Sequence, residues 1–471
     1  MPSGAAPNPG SFRDPTSRVF ELDGAIVRGL DRAAADNFEA LAQAPFYRQA
    51  EAAGSVVGAR LAGAKVARQL AGMGWVGALE HERVPLISYP YEWTFSMLKA
   101  AALLHLELLA AAYHDGWTIK DSTPYNVQFV GSRPVFIDTP SFTPREPGDY
   151  WTGYRQFCML FLYPLMLKAH LGIDFQPLLR AKLDGLTPVE FARYFSGLRR
   201  LKKGVPSHVV LPASLEAAVE RRERDNVPAK ARPAIRQSEA MVLGLIDGMR
   251  RLVEGLNSPI RHTDWSEYAN RHSYEQAAFD EKVAFVKAAA ASRDWNIAWD
   301  LGGNTGSFSR ICADHARYVI TADGDHDAVE KLFLSERAKG GETILPLVLD
   351  LANISPAQGW AGAERAAFDG RNRPDLVIAL ALIHHMALSA NIPIPMFLDW
   401  LRSLDAHLVI EFVDRDDEMV EKLLKNKRER YDAYNLAAFE SELGRRFEVI
   451  DRKPLKGGRR HIYFCAPGGA G

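Results

Sequence analysis

The residue types best suited to chemistry gather in the C-terminal half. There Trp299-Asp300-Leu301-Gly302-Gly303-Asn304-Thr305-Gly306-Ser307-Phe308 follows the apolar lead-in Ile297-Ala298. An acidic residue, a glycine-rich turn and a helix start, in that order, have the form of a strand–loop–helix nucleotide cradle. Glycines let a ligand approach the backbone closely, and the first turn of a helix offers free N–H groups. The glycine spacing is not that of a dinucleotide fingerprint, and no Gly-Lys-Ser/Thr closes the turn as a phosphate loop requires. Asp323 and Asp350 end two further apolar runs. A lone Asp at a strand end is ordinarily a cap or turn residue; three in order on successive strand ends point to a site. His384 and His385 end a fourth run. A His titrating near neutrality can take a proton from a hydroxyl or amine; the alternative is that both merely close the strand and pack against a helix.

A second constellation lies at Asp121-Ser122-Thr123-Pro124-Tyr125-Asn126. It is followed by Val127–Val130, a Gly131-Ser132 turn and Pro134-Val135-Phe136-Ile137-Asp138. An Asp and an Asn so spaced in a loop also arise as an ordinary turn.

The elements that must position these residues are legible as two halves and a connector. With 471 residues the chain is too long for one ordinary domain. Residues 1–17, rich in Pro, Gly, Ser and Ala, read as a disordered tail, and 18–200 as an α+β domain. Residues 201–261, charged and punctuated by Pro206, Pro212, Pro228 and Pro233, read as a connector with helical pieces at Ser214–Arg224 and Ser238–Gly255. Residues 262–471 alternate strand and helix, which predicts a parallel sheet covered on both faces. The predicted strands are Asn296–Leu301, Tyr318–Asp323, Ile344–Asp350, Leu376–Leu382 and His407–Val413. Phe447–Ile450 and His461–Cys465 follow as a hairpin. Ligands in such sheets sit beyond the carboxyl ends of the strands.

Composition bounds the function. Hydrophobic residues make up 47% and charged residues 24%, as in a soluble globular protein, and the net charge of −1 gives no support to nonspecific nucleic-acid binding. Cys158, Cys312 and Cys465 lack zinc-type spacing and read as reduced core thiols of a cytoplasmic protein. The most apolar run, near Cys158–Leu167, is short and contains Pro164, so a buried helix is expected and no membrane span. Oligomeric state is not legible.

The order Asp-Leu-Gly-Gly-Asn-Thr-Gly resembles the first motif of class I S-adenosylmethionine-dependent methyltransferases, and the strand order with a closing antiparallel pair is the layout of that family. The resemblance covers roughly the last 200 residues and implies S-adenosylmethionine as cofactor. It assigns Asp300 to the donor's amino acid end, often through water, with Gly302, Gly303 and Gly306 shaping the loop beside the methionine portion. Asn304 replaces a usual glycine, and Asn tolerates the left-handed conformation. Asp323 would accept the ribose hydroxyls, with Asp325 as second choice, since a carboxylate makes strong bidentate bonds. Asp350 would accept from the adenine amino group, with Leu351 near the ring. His384 and His385 fall where such enzymes place acceptor-facing residues, in the form common among small-molecule methyltransferases. The cluster Glu411-Phe412-Val413-Asp414-Arg415-Asp416-Asp417 either shapes the acceptor pocket or starts a helix. Trp400, Tyr431 and Tyr434 are either pocket walls or core. No metal is expected in this domain.

The N-terminal constellation resembles the catalytic loop and metal-binding Asp of the protein-kinase-like superfamily, especially its small-molecule branch. Asp121 would orient an acceptor hydroxyl, while Asn126 and Asp138 would bind metal if Mg-ATP binds. Leu86–Ser88 would be the hinge and Met97–His114 the helix leading to the loop. Ile119-Lys120 replaces His-Arg, Thr139-Pro140 replaces Phe-Gly, and Arg28 and Lys65 are the candidates for the nucleotide lysine. Lys120–Asn126 ahead of a C-terminal methyltransferase domain is similar to a bacterial group that includes nodulation host-specificity proteins of the NoeA type. The fold expected is α/β: a seven-stranded Rossmann-like methyltransferase sheet behind a separate α+β kinase-like domain. The function expected is methyl transfer to a small-molecule or carbohydrate-like acceptor. Its rivals are a bifunctional kinase–methyltransferase and a donor-binding regulatory protein with a pseudokinase domain.

Overall fold

A computed structural model describes residues 6–146, 148–224, 237–259, 273–371, 373–425 and 431–468. The chain divides into two compact units. The first comprises 1–129, 134–259 and 358–365; the second comprises 130–133, 260–357 and 366–471.

In the first unit, strands β1 (Ala6–Pro7), β2 (Ser17–Leu22), β3 (Ala25–Leu30), β4 (Ala59–Leu61) and β5 (Gly77–His81) form an antiparallel sheet in the order β1-β2-β3-β5-β4. Phe20, Leu22 and Val27 pack with Leu70 beneath it. Helix α1 (Arg32–Leu41) is capped by Asp31, whose side chain accepts the Ala34 N–H, and α2 (Pro45–Ala52) and α3 (Ala64–Ala71) follow. Helix α4 (Phe95–His114) begins at Thr94, which accepts the Met97 N–H. It is apolar on nearly all sides, the mark of a helix enclosed by its neighbours, and among the described residues it is the one helix long and apolar enough to cross a bilayer. Strand β6 (Trp117–Ile119) leads into the Asp121 loop, and the hairpin β7 (Val127–Val130) with β8 (Arg133–Phe136) leads out to Asp138. Strand β9 (Phe142–Pro144) pairs with β6.

Two readings of this half are revised. Part of the expected tail is built into the unit: β1 pairs with β2, and Asp14 meets Lys120 at 3.3 Å. Residues 1–5 lie outside the described residues. The described part of the expected connector is folded too. Helix Glu239–Glu254 buries Val242, Ile246, Met249, Leu252 and Val253 and packs against α4. Pro228, Pro233 and the boundary at 261–262 lie outside the described residues.

In the second unit, seven strands form one sheet: β10 (Trp295–Leu301), β11 (Ala316–Asp323), β12 (Ile344–Val348), β13 (Leu376–Ala379), β14 (His407–Val413), β15 (Phe447–Pro454) and β16 (Arg460–Pro467). The order is β12-β11-β10-β13-β14-β16-β15; the first five are parallel, and β16 is antiparallel to β14 and β15. Ala298, Val319, Ile378 and Val409 are buried centrally, as expected of parallel strands covered on both faces. The chain order reverses at β10, between β11 and β13, so the ends of these strands form the topological switch point. The predicted strands hold to within a few residues at most ends. The exceptions are instructive: β13 stops at Ala379, three residues early, and β15 runs on to Pro454.

Candidate active site

The glycine loop sits at that switch point. Asp300 pairs in register with Thr321 on β11, and Leu301 with Ala379 on β13. Gly302 has φ +72°, and a Cβ there would meet only Leu382 Cδ1, at 3.5 Å, so the loop is open on that side and abuts the turn after β13. Gly303 is closed from below: a Cβ would lie 2.4 Å from Thr321 Cγ2 and 2.8 Å from Asp300 Oδ2. Asn304 takes the left-handed conformation, φ +49°, as its side chain permits. Gly306, φ +80°, precedes the helix Ser307–Ala313.

The three carboxylates have different surroundings. Asp300 is 2% exposed. Its Oδ2 accepts from Ser309 Oγ at 2.5 Å, and Ser309 Oγ in turn accepts from Thr321 Oγ1 at 2.7 Å. Burial pushes its pKa up to about 6, against the pull of the Ser309 hydrogen bond. Asp300 thus lies under the loop and supports it. Asp323 accepts the Asn304 N–H on Oδ2 and the Asp325 N–H on Oδ1, each at 2.8 Å. The Gly324 N–H also stabilises its charge, while burial raises its pKa. A carboxylate has about four acceptor positions, so capacity remains for a hydroxyl donor. Asp325, the second choice, caps the helix His326–Ala338, its Oδ1 accepting from Asp327 N and Ala328 N. Asp350 is exposed just past β12; it accepts the Ala352 N–H at 2.9 Å, and Leu351 beside it is half-buried.

On the other side of the switch point, His384 is buried and His385 half-buried, with ring centroids 4.3 Å apart. Burial first, then the neighbouring His385 and Arg460, pushes the His384 pKa down to about 3, and burial lowers that of His385. Both rings are therefore neutral at physiological pH, and the half-buried His385 is the more accessible of the two. The turn that carries them is held by a residue that sequence reasoning left in an undifferentiated acidic cluster. Glu411, fully buried on β14, accepts from Ala381 N at 2.8 Å and from Lys282 Nζ at 2.7 Å, both on Oε2. Ala381 adopts φ +49°, unfavourable for a residue with a Cβ, so this anchor offsets local strain and ends β13 early. Arg460 lies 3.6 Å from Glu411 Oε1 and grips Asp417 through Nε at 2.7 Å and NH2 at 3.0 Å. Asp417 also caps the helix Glu418–Leu424, so the helix-start reading of this cluster holds for it. Tyr434 is core, its hydroxyl donating to Val413 O at 2.6 Å. Tyr431 bonds Asn391 Oδ1, and Trp400 bonds Asp369 and stacks on Phe397. Lys282 and Arg460 carried no local signal, since their partners are remote in sequence.

In the first unit, Asn126 Nδ2 reaches Asp121 O at 3.4 Å and Asp138 Oδ2 at 3.5 Å, so Asp121, Asn126 and Asp138 come together. Burial and then the nearby Asp138 raise the Asp121 pKa. Arg28 NH1 donates to Asp138 Oδ1 at 3.0 Å, whereas Lys65 pairs with the exposed Asp23. His105 on α4, wholly buried, shares a 2.9 Å hydrogen bond with Ser122 Oγ and so fixes the residue after Asp121. Among the described residues no group of three or more His, Cys, Asp or Glu side chains is arranged to hold a metal ion.

A glycine loop at the switch point, carboxylates on successive strand ends and an antiparallel closing pair define the second unit as a Rossmann-like methyltransferase fold. The chain belongs to the family of nodulation protein NoeA: it is 33% identical over 465 residues to NoeA of Rhizobium meliloti (strain 1021), covering 98% of this chain and 96% of that protein. No family model matches the chain. Among solved structures, N-methyltransferase NodS from Bradyrhizobium japonicum WM9, in complex with S-adenosyl-L-homocysteine, aligns with a TM-score of 0.32 at 12% identity, over 44% of this chain and 93% of its own. A SAM-dependent methyltransferase from Aquifex aeolicus aligns with a TM-score of 0.31 at 13% identity, over 44% of this chain and 100% of its own.

Proposed function

We propose that this protein is an S-adenosylmethionine-dependent methyltransferase acting on a small-molecule or carbohydrate-like acceptor. The observation that carries the reading is the Asn304 N–H bound to Asp323 Oδ2 at 2.8 Å: the glycine loop and the second strand end are locked into one edge, with Asp350 following on the third. The residues fit the donor. Asp323 would take a ribose hydroxyl, Asp350 the adenine amino group, and the open side of Gly302 the methionine portion, while Asp300 holds the loop from below. The donor supplies an electrophilic methyl group, transferred as the acceptor–carbon bond forms and the sulfur–carbon bond breaks. The chain's part is to align the acceptor, keep the site dry and receive a proton. His385 is the residue placed to receive it. Its depressed pKa keeps it unprotonated, so the acid limb of the pH–rate profile should lie below the ordinary imidazole range.

Titration calorimetry with S-adenosylmethionine and its demethylated product tests this. Asp323→Ala should weaken both by about a hundredfold, roughly one hydrogen bond to a charged acceptor; unchanged affinity would remove the assigned site. Labelled donor incubated with a metabolite extract identifies the acceptor, and absence of turnover would favour the donor-sensing reading.

A second reading concerns the first unit. The meeting of Asp121, Asn126 and Asp138 supports a kinase-like arrangement, but the Arg28 guanidinium already balances Asp138, the residue that would hold Mg²⁺. This favours a binding domain over a phosphotransferase. Mg²⁺-dependent ATP binding that is lost in Asp138→Ala would reverse that preference in favour of the bifunctional enzyme.

A further inference from the structure

The first unit carries a surface element that the methyl-transfer reading does not use. The turn Gly197–Leu201 and the residues after it read Leu198-Arg199-Arg200-Leu201-Lys202-Lys203. Leu198 is 84% and Leu201 73% exposed, among the most solvent-exposed large apolar side chains of the described residues. Arg193, Arg199, Arg200, Lys202 and Lys203 are all exposed, and no Asp or Glu occurs from Arg193 to Leu215. Arg200 and Lys202 donate to backbone carbonyls, those of Phe195 and His170. Carboxylates on neighbouring elements are engaged elsewhere: Asp174 with Lys168, Glu190 with Lys182 and Glu254 with Arg250. The segment is anchored, because Phe195 and Val205 on either side of it are buried. The following helix, Leu211–Arg224, continues the pattern with Leu211, Leu215 and Val219 exposed at a spacing of four, along one helix face.

Single exposed leucines need no explanation. Two leucines held out by a fixed turn, interleaved with four cations and no acid, are a different matter. Apolar tips with cations around them match a surface that is anionic outside and apolar just beneath. We propose that this element docks the protein peripherally on an anionic lipid surface, the leucines entering the headgroup–acyl boundary and the cations meeting lipid phosphates. A nucleic acid would use the cations but not the leucines, because base stacking calls for aromatic side chains. Adding apolar contact to charge is what makes such docking stable, since neither alone holds strongly.

The test is co-sedimentation of the full chain with vesicles of phosphatidylcholine alone and of phosphatidylcholine mixed with phosphatidylglycerol. Binding to the anionic vesicles only, weakened by salt, is expected. Arg199→Ala with Arg200→Ala should reduce it about thirtyfold, at about fivefold per charge. Leu198→Ser with Leu201→Ser, which leaves the charge of the segment unchanged, should abolish it. All substituted side chains are exposed, and circular dichroism checks the fold of each variant. No binding to anionic vesicles overturns the proposal, as does equal binding to neutral ones. Binding to DNA that matches vesicle binding and survives the leucine substitutions marks a general polyanion site and overturns it too. Self-association lost in the leucine variants, without vesicle binding, would give the surface to a second copy of the chain and do the same.

Discussion

Each unit brings carboxylates to the end of a strand or hairpin, yet the two sites are balanced in opposite ways. At the second unit's sheet edge, Asp323 is held by backbone N–H groups and Asp350 by one, with no basic side chain bound to either among the described residues. Backbone N–H groups meet their oxygens, which leaves acceptor positions open on each carboxylate. In the first unit, Asp138 faces the Arg28 guanidinium at 3.0 Å, which answers its charge within the protein. The same side chain is therefore left with open acceptor positions or becomes half of an internal ion pair according to its partner. A carboxylate matched by a guanidinium has less to gain from a metal ion.

The strongest way to break this contrast is at Glu411, a fully buried carboxylate of the second unit that is answered by a basic side chain, Lys282. Glu411→Ala breaks the 2.7 Å ion pair with Lys282 and removes the acceptor of the Ala381 N–H. We expect a loss of about 3–5 kcal/mol in chemical denaturation, the usual cost of breaking a buried ion pair from one side. A loss under about 1 kcal/mol would show that the pair does not anchor the turn.

Asp300 tests the dipole-held side through pH. Its folded pKa, about 6, lies above the ordinary carboxylate value, so the folded state binds the proton more tightly than the unfolded chain. Its contribution is present at pH values below about 4 and is lost as the pH rises to about 6, an effect of at most about 3 kcal/mol. Asp300→Asn, which can keep the Ser309 contact, should flatten that part of the stability–pH curve. An unchanged curve would locate the titration elsewhere.

Gly303 reads the packing beneath the loop. Gly303→Ala should cost about 2 kcal/mol of stability, because the new methyl meets Thr321 Cγ2 and Asp300 in a packed interior, and should weaken donor binding in parallel. Wild-type donor affinity in this variant would mean that the loop adjusts without consequence.

The smallest change sharpens the contrast from the other side. Arg28→Met removes the counter-charge of Asp138 at a cost of about 1–2 kcal/mol. The variant should gain a Mg²⁺-dependent rise in melting temperature that the parent lacks. A parent that already responds to Mg²⁺ would contradict the reading of Arg28 as the occupant of that position.

Much of the second unit was legible because parallel strands buried on both faces write continuous apolar runs, and loops at their ends must use Gly, Asn and Asp. His407–Val413 matches its strand end to end, and Asn304 takes the left-handed conformation that its residue type allows. The ends of β13 and β12 were misplaced for a local reason that only the fold supplies. Leu380–Leu382 is apolar enough for a strand, but the Ala381 N–H turns to Glu411, and Asp350 caps the turn that follows β12. The helix Glu239–Glu254 was visible as a helix, but its destination on α4 was not, and prolines around it suggested a linker.

By itself the amino-acid order determined the element types, the glycine loop and the three carboxylates at strand ends, because these follow from periodicity and turn chemistry within a few residues. Tertiary structure alone decided the roles: that Asp300 supports the loop from below, that Lys282 and Arg460 surround Glu411, and that Arg28 answers Asp138. Those partners are 129 residues apart for Lys282 and Glu411 and 110 for Arg28 and Asp138. A charge's function depends on what packs against it, and such long-range neighbours leave no periodic mark in the chain.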